Sequence, residues 1–362
     1  MSTLKVGAIK GVSASSDAIT INNDGTCTAN LTNKSGKNLI INGAMLVAQR
    51  GTSSTVEGFQ TVDRFDTDFD GLDENPTQAQ VDVSSGETPY TLGFTKAWKI
   101  TNGNQTSVAA GDWMRIRQPI EAQNVRNSGW NYKSSSSYIT ISFWVKSSVA
   151  QTFYLSIKSQ DGTPQAYAHP FSATTSWTKI THSIPGNTNL DFDNNSGLGL
   201  HVQWVLYYGT TYTDNSKADD SWGTFDGNAQ TKDMTSTWFS TNDATFEITG
   251  VKLELGSIAT DFEQKTLDEE QLLCNRYCYA CLKYGAGNTT DNRIYNSNYA
   301  SGAGFVNHSI PKMRDEPTIT YNILLGAISA DYSSADRISM YDSDDNNFYI
   351  YDVICESEIP LS

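Results

Sequence analysis

The stretch TFEITGVKLELGSIATDFEQKTLDEEQLLCNRYCYACLKY, residues 245–284, decides how the rest of the chain is read. Phe246 and Ile248 alternate with Glu247 and Thr249, and Val251, Leu253 and Leu255 alternate with Lys252 and Glu254. This is a strand whose apolar parity slips at Gly250, where a bulge re-aims it. After Gly256 the period changes. Thr266 followed by Glu269 is a capping box, and Asp268, Glu269 and Glu270 fill the first turn of a helix. Leu267, Gln271, Cys274, Cys278 and Cys281 then recur at heptad-like spacing up to Gly285. The expectation is that a β region closes, a short helix follows, and a smaller β unit completes the chain.

Working outward, 362 residues give room for two or three domains, each with its own core. Charged residues make up only 18% and aromatics 11%, a balance that favours short strands joined by long polar loops. The net charge of -15 leaves no basic surface for phosphates, so nucleic acid is excluded as a partner. The opening MSTLKVGAIKGVSASSDAI has no long apolar core, so no signal peptide is expected. Nor is membrane insertion expected, since no apolar run is long enough. Five cysteines, three of them clustered, do not form a secreted disulfide framework, and synthesis in a reducing cytoplasm is expected.

Residues 1–36 hold only thin strand fragments around Leu4, Val6, Ile9, Ile19, Ile21 and Leu31, expected to form a strand-exchanging arm ordered by assembly. Residues 37–264 are one large β domain. Ile139, Ile141, Phe143 and Val145 define one inward face, and Leu198, Leu200, Val202, Trp204 and Leu206 another. A two-sheet sandwich of the jelly-roll kind satisfies this pattern. Residues 265–285 form the short helix, and residues 286–362 a small β-sandwich with strands around Ile319, Tyr321 and Ile323, Ile338 and Met340, and Phe348 and Ile350. So thin a core is expected to lean on neighbouring copies.

Several segments resemble, in the same order, a jelly-roll module of bacteriophage tail-fibre and other virion structural proteins. They are KNLIINGAMLVAQRGTS (37–53), TVDRF (61–65), RQPIEAQNV (117–125), YITISFWVKSS (138–148), SWTKITHSIPGNT (176–188) and TFEITGVKLELGSIATDFEQKT (245–266). EEQLLCNRYCY (269–279) and IPKMRDEPTIT (310–320) resemble the segments that follow that module, and STLKVGAI resembles the N-terminal arms of marine phage fibres. The resemblance implies an all-β, carbohydrate-binding-like jelly roll in an elongated homotrimer located in the virion, assembled in the host cytoplasm. It implies no catalytic residues. The Asp-rich insert after Phe65 and the pair Cys278 and Cys281 depart from the family pattern.

Cys274, Cys278 and Cys281 have the spacing of a radical iron–sulfur loop, but helical phase and β surroundings favour a packed seam. Leu267, Cys274, Cys278 and Cys281 are accordingly expected to face other chains or the base of the module. Asp66, Asp68 and Asp70, with Gly71, match the first half of a calcium loop. The twelfth position is Thr77, so this is not an EF-hand, and a solvated acidic loop is the alternative. Asp191, Asp193 and Asn195 are a weaker candidate, and His169, His182, His201 and His308 are too dispersed in sequence to support zinc. For carbohydrate, Trp130, Tyr132, Tyr207, Tyr208, Tyr212 and Trp222 sit in or beside polar loops, either as stacking platforms for sugar rings or as loop anchors.

The function expected is host attachment by a non-enzymatic fibre protein that binds surface glycans weakly and multivalently, with residues 1–36 joining other virion proteins. The alternatives are a purely structural fibre or capsid-decorating component and a glycan depolymerase. Neither a G-x-S-x-G elbow nor the short period of a β-helical spike occurs in the sequence.

Overall fold

A computed structural model describes residues 6–12, 19–21, 27–29, 38–281, 294–295, 297–298, 304–325, 328, 330–342 and 349–361. Strands β1 (Ala8–Ile9), β2 (Ile19–Ile21) and β3 (Cys27–Ala29) pair with one another as a small antiparallel sheet. The central region then runs through β4 (Ser53–Ser54), β5 (Asp66–Asp70), β6 (Thr77–Asp82), helix α1 (Thr88–Thr91), β7 (Lys96–Thr101) and β8 (Trp113–Glu121). Helix α2 (Ala122–Arg126), β9 (Tyr138–Ser147), β10 (Gln151–Ser159), β11 (Gln165–Ala173) and β12 (Thr178–Pro185) follow. It closes with β13 (Leu198–Tyr208), β14 (Trp222–Thr224) and β15 (Thr245–Leu255).

These strands form two six-stranded antiparallel sheets, ordered β14-β11-β10-β13-β8-β5 and β12-β9-β15-β7-β6-β4. The apolar parity of each strand puts one face of each sheet into a shared core, as the alternation requires. Ile139, Ile141, Phe143 and Val145 meet Leu200, Val202, Trp204 and Leu206 there, with Phe143 edge-on to Trp204 at 5.6 Å. In β15 the register against β9 shifts between Thr249 and Lys252, and Gly250 takes φ +62°. The parity slip in the sequence is therefore a bulge. A Cβ at Gly250 would lie 2.8 Å from the Phe94 ring.

Two motif segments lock together beside β15. Leu39 N donates to Leu253 O and Val251 N to Gly43 O, both at 2.9 Å. Gly43 comes so close to the Val251 carbonyl that a Cβ would stand 2.1 Å from that oxygen. Buried Asn42, at φ 61°, donates through Nδ2 to Val47 O and Asp63 O, which ties residues 38–47 to residues 61–65.

Helix α3 (Leu267–Cys274) has the expected capping box: Glu269 N donates to Thr266 Oγ1, and Thr266 N donates to the Glu269 carboxylate at 2.8 Å. It ends sooner than the cysteine spacing suggests. Cys278 opens β16 (Cys278–Ala280), which pairs with the last strand of the chain. Pairing there gives β16 a full ladder, which a ninth to fifteenth helical residue would forgo, so tertiary hydrogen bonding overrides the periodicity. The cysteines thus do not share a helix face. Cys274 and Cys278 are buried within the chain, Cys281 is half-buried with Sγ 3.7 Å from Cys355 Sγ, and Leu267 is 58% exposed. These four cysteines, 274, 278, 281 and 355, are all free.

After β16 come β17 (Ile294–Tyr295), β18 (Ser297–Asn298), β19 (Gly304–Ser309), β20 (Thr318–Leu325), β21 (Ala330–Ser334), β22 (Arg337–Asp342) and β23 (Tyr349–Glu356). They make two four-stranded sheets: β16, β17 and β20 gathered on β23, and β18-β19-β22-β21. Val306, Ile310, Met313, Ile338, Met340, Ile350, Val353 and Cys355 share one core, while Ile323 is 45% exposed beyond a register shift. Phe348 lies outside the described residues.

The two regions are joined by buried charge. Arg50 pairs with Glu356 and, at 3.1 Å, with Glu358. Arg64, also φ > 0 and 1% exposed, pairs with Glu358, donates to Pro119 O at 2.8 Å and lies 3.5 Å over the Tyr277 ring. Arg276 and Tyr277 both donate to buried Glu121, and Arg314 donates to the carbonyls of Ser357 (2.8 Å) and Glu358 (3.1 Å).

Replacing Gly250 with Ala forces a side chain into a left-handed backbone against Phe94 and is expected to cost about 1–3 kcal/mol, read as a lower urea midpoint at unchanged m-value. Glu358→Gln removes the anion shared by two buried guanidiniums and is expected to destabilise by about 3–5 kcal/mol. Adding Arg64→Met should return part of that loss in the same urea titration.

Candidate functional site

The side chains that point away from the core on the β5-containing sheet form cross-strand rows. In register are Asp66, Arg117, Gln203 and Ser156, then Asp68, Arg115, Val205 and Tyr154, then Pro119, His201 and Lys158. Arg117 pairs with Asp66 and, at 2.6 Å, with Asp68, and Arg115 reaches Asp68 at 2.6 Å. Arg115 Nη1 also donates to Tyr208 Oη at 3.1 Å, and that hydroxyl donates to Gln230 Oε1 at 3.1 Å.

This arrangement overturns the calcium expectation for Asp66, Asp68 and Asp70. They lie on strand β5, not in a loop, and two guanidiniums already neutralise the first two. Asp70 is exposed and accepts from Gly71 N. In the weaker acidic loop, Asp193 N donates to Asp161 Oδ2 and Asp191 pairs with Lys133 at 3.4 Å.

Of the aromatic candidates, Trp130 and Tyr207 belong to the core. Trp130 is 4% exposed and donates to Ser137 O, and Tyr207 stacks on Phe239 at 4.4 Å. Neither is a sugar platform. Tyr132 is half-buried against Phe192. Tyr208 is buried on the outer face, beneath residues 209–235. Tyr212 and Trp222 are half-exposed. Tyr212 meets Trp113 edge-on at 6.4 Å, and Trp222 donates to Pro185 O while packing on Tyr167. Sequence reasoning missed Trp113, Arg115, Arg117, Lys158, His201 and Gln203, although the alternation in WMRIRQ carries the signal.

The face is bordered by half-exposed Trp113, Tyr212 and Phe225, with Lys158 Nζ 3.8 Å from the Phe225 ring centroid. Its floor mixes donors and acceptors. Burial raises the Asp66 carboxyl to about 7 although Arg117 pulls the other way. Burial, then the charges of Arg117, Lys158 and Arg115, holds His201 well below the usual imidazole range, so it is neutral at pH 7. His201 Nδ1 is buried with no hydrogen-bond partner among the described residues. Above a buried floor of Asp66, Arg117, Gln203 and His201, half-exposed Arg115 and Lys158 can donate to hydroxyls, and Trp113 and Tyr212 can stack apolar ring faces.

Among the described residues no helix is long and apolar enough to cross a membrane. No protein-family model matches the sequence, and no curated protein matches it. Among solved structures the chain is similar to the family 11 carbohydrate-binding module of a cellulosomal cellulase from Clostridium thermocellum, at 12% identity and a TM-score of 0.27, over 57% of this chain and 96% of that one. It is also similar to the N-terminal cellulose-binding domain of a Cellulomonas fimi β-1,4-glucanase, at 9% identity and TM-score 0.29, over 59% and 99%. A third is the enzymatically active domain of tailspike protein 4 of bacteriophage CBA120, at 10% identity and TM-score 0.30, over 60% of this chain but 21% of that one. At these identities and TM-scores, function has to be read from this chain's own residues.

A His with a depressed folded pKa takes up its proton only on unfolding, so the unfolded chain binds more protons just below pH 6.5 and stability falls with pH there. Between pH 7 and 5 the urea midpoint of His201→Gln is therefore expected to fall less than that of the wild type. Parallel profiles would remove the buried neutral imidazole from the account.

Proposed function

We propose that the protein is a non-enzymatic component of a virion fibre that binds host surface glycans through the outer face of the β5-containing sheet. The observation that carries this reading is the set of cross-strand rows Asp66–Arg117–Gln203 and Pro119–His201–Lys158, beside half-exposed Trp113 and Tyr212. In a sugar complex, Trp113 and Tyr212 take the C–H face of a ring, while half-exposed Arg115 and Lys158 take its hydroxyls, with Gln203 and His201 buried behind them. Each site is small, so avidity from a homotrimer and from several fibres supplies the affinity. The ordered motifs of residues 37–266 support the virion location, and residues 1–36 are assigned to attachment to other virion proteins. Exposed Leu267 and Leu272 on α3, 58% and 68% accessible, support contact between copies.

The test is binding of the full chain to purified host surface polysaccharide by glycan array and calorimetry, with oligomeric state from native mass spectrometry. Trimers are expected, with weak saturable binding that drops at least tenfold in Trp113→Ala and no release of reducing ends. Absence of binding with intact trimers would leave a purely structural role. Release of reducing ends would make the protein a depolymerase.

A further inference from the structure

Two of the four histidines dispersed in the sequence, His169 and His182, meet in space. His169 sits on β11 at an inward-facing position between Tyr167 and Phe171, and His182 on β12 at an inward-facing position between Ile180 and Ile184. These strands belong to opposite sheets, so the two imidazoles meet across the open edge of the sandwich. Their rings stack at 3.6 Å with 15° between planes. Asp220, from the connection between β13 and β14, closes the edge: its Oδ1 lies 2.7 Å from His169 Nδ1 and 3.3 Å from His182 Nε2. Tyr167 Oη lies 2.9 Å from His182 Nε2.

We propose that Nδ1 of His169, Nε2 of His182 and the Asp220 carboxylate form a binding site for a divalent transition-metal ion of the zinc type. The three ligand atoms lie within 4.8 Å of one another. Two imidazoles and one carboxylate match the donor preference of such an ion, with a fourth position for water or the Tyr167 hydroxyl. Ligands about 2.0–2.1 Å from a tetrahedral zinc ion stand about 3.3 Å apart. The His182–Asp220 separation already has that value at 3.3 Å; the 2.7 Å contact to His169 opens, and the stacked rings tilt apart so that both nitrogen lone pairs point at one ion. Both imidazoles bind as neutral ligands, and the tautomer of His169 shifts so that its proton sits on Nε2.

The site is held in place before metal arrives. Asp220 is fixed in a left-handed conformation (φ 57°) by donation of its N–H to Ala168 O at 2.9 Å. Two residues on, Trp222 packs on Tyr167 and donates to Pro185 O at 2.7 Å. The Asp220 side chain is 50% exposed, which gives an ion a path from solvent. A bound ion would therefore tie together both sheets and the segment that carries Tyr212, Trp222 and Phe225. This inference does not depend on the glycan reading.

The test is calorimetric titration of chelator-treated full-length protein with zinc, together with the visible absorption of the cobalt-loaded protein. One ion per chain is expected, with tetrahedral cobalt bands and slower proteolytic cleavage within residues 209–235. Asp220→Asn and His182→Gln should each weaken binding at least tenfold, while His308→Gln should not. Asp220 is a surface residue, so its variant keeps the comparison informative even if His182→Gln folds poorly. Absence of stoichiometric binding in the wild type, or cobalt bands unchanged in Asp220→Asn, would overturn the assignment.

Discussion

The relation between the two halves of this chain depends on one carboxylate, largely withdrawn from solvent. Glu358 lies past the last strand and answers two arginines, Arg50 and Arg64, that belong to the sandwich. Neither guanidinium can reach water easily, since Arg50 is 9% and Arg64 1% exposed. Buried charges of this kind are costly alone and tolerable only in a fixed geometry. The network therefore specifies placement more than it adds stability. Arg64 is further constrained by its positive φ and by the Tyr277 ring beneath it, so the TVDRF segment, helix α3 and the chain end are settled together.

Much of the fold was legible because its determinants are local. The alternation of residues 138–147 and 198–206, the parity slip at Gly250 and the capping box at Thr266 each act within a few residues, and each occurs as read. The misreadings have distant causes. The heptad-like cysteines look helical until β23, more than 60 residues later, offers Cys278–Ala280 a ladder. Likewise Asp66, Asp68 and Asp70 have calcium-loop spacing until β8 brings Arg115 and Arg117 alongside.

The candidate sites show the same division. Aromatic residues near loops were the visible signal, yet Trp130 and Tyr207 pack into the core, where large rings bury much apolar area. Most of the proposed functional groups sit on strands, and only Tyr212 and Asp220 come from the connection between β13 and β14. Arg115 and Arg117 betray themselves only by alternating with Met114 and Ile116, and their partners come from β5 and β13. His169 and His182 carry a subtler sign, a polar residue in an otherwise apolar inward row. That anomaly becomes a juxtaposition only once the two sheets are stacked.

The chain leaves the sandwich through α3 and β16 and comes back to it at Glu358, which pairs with Arg50 and Arg64, while Ser357 N donates to Tyr277 O just before β16. The C-terminal sheets are thus moored at both their beginning and their end. A unit held by one strand can swing or spin about that strand, whereas one held by two cannot. Two separate attachments, one through α3 and β16 and one through Glu358 with Arg50 and Arg64, oppose rotation of the C-terminal sheets about either one.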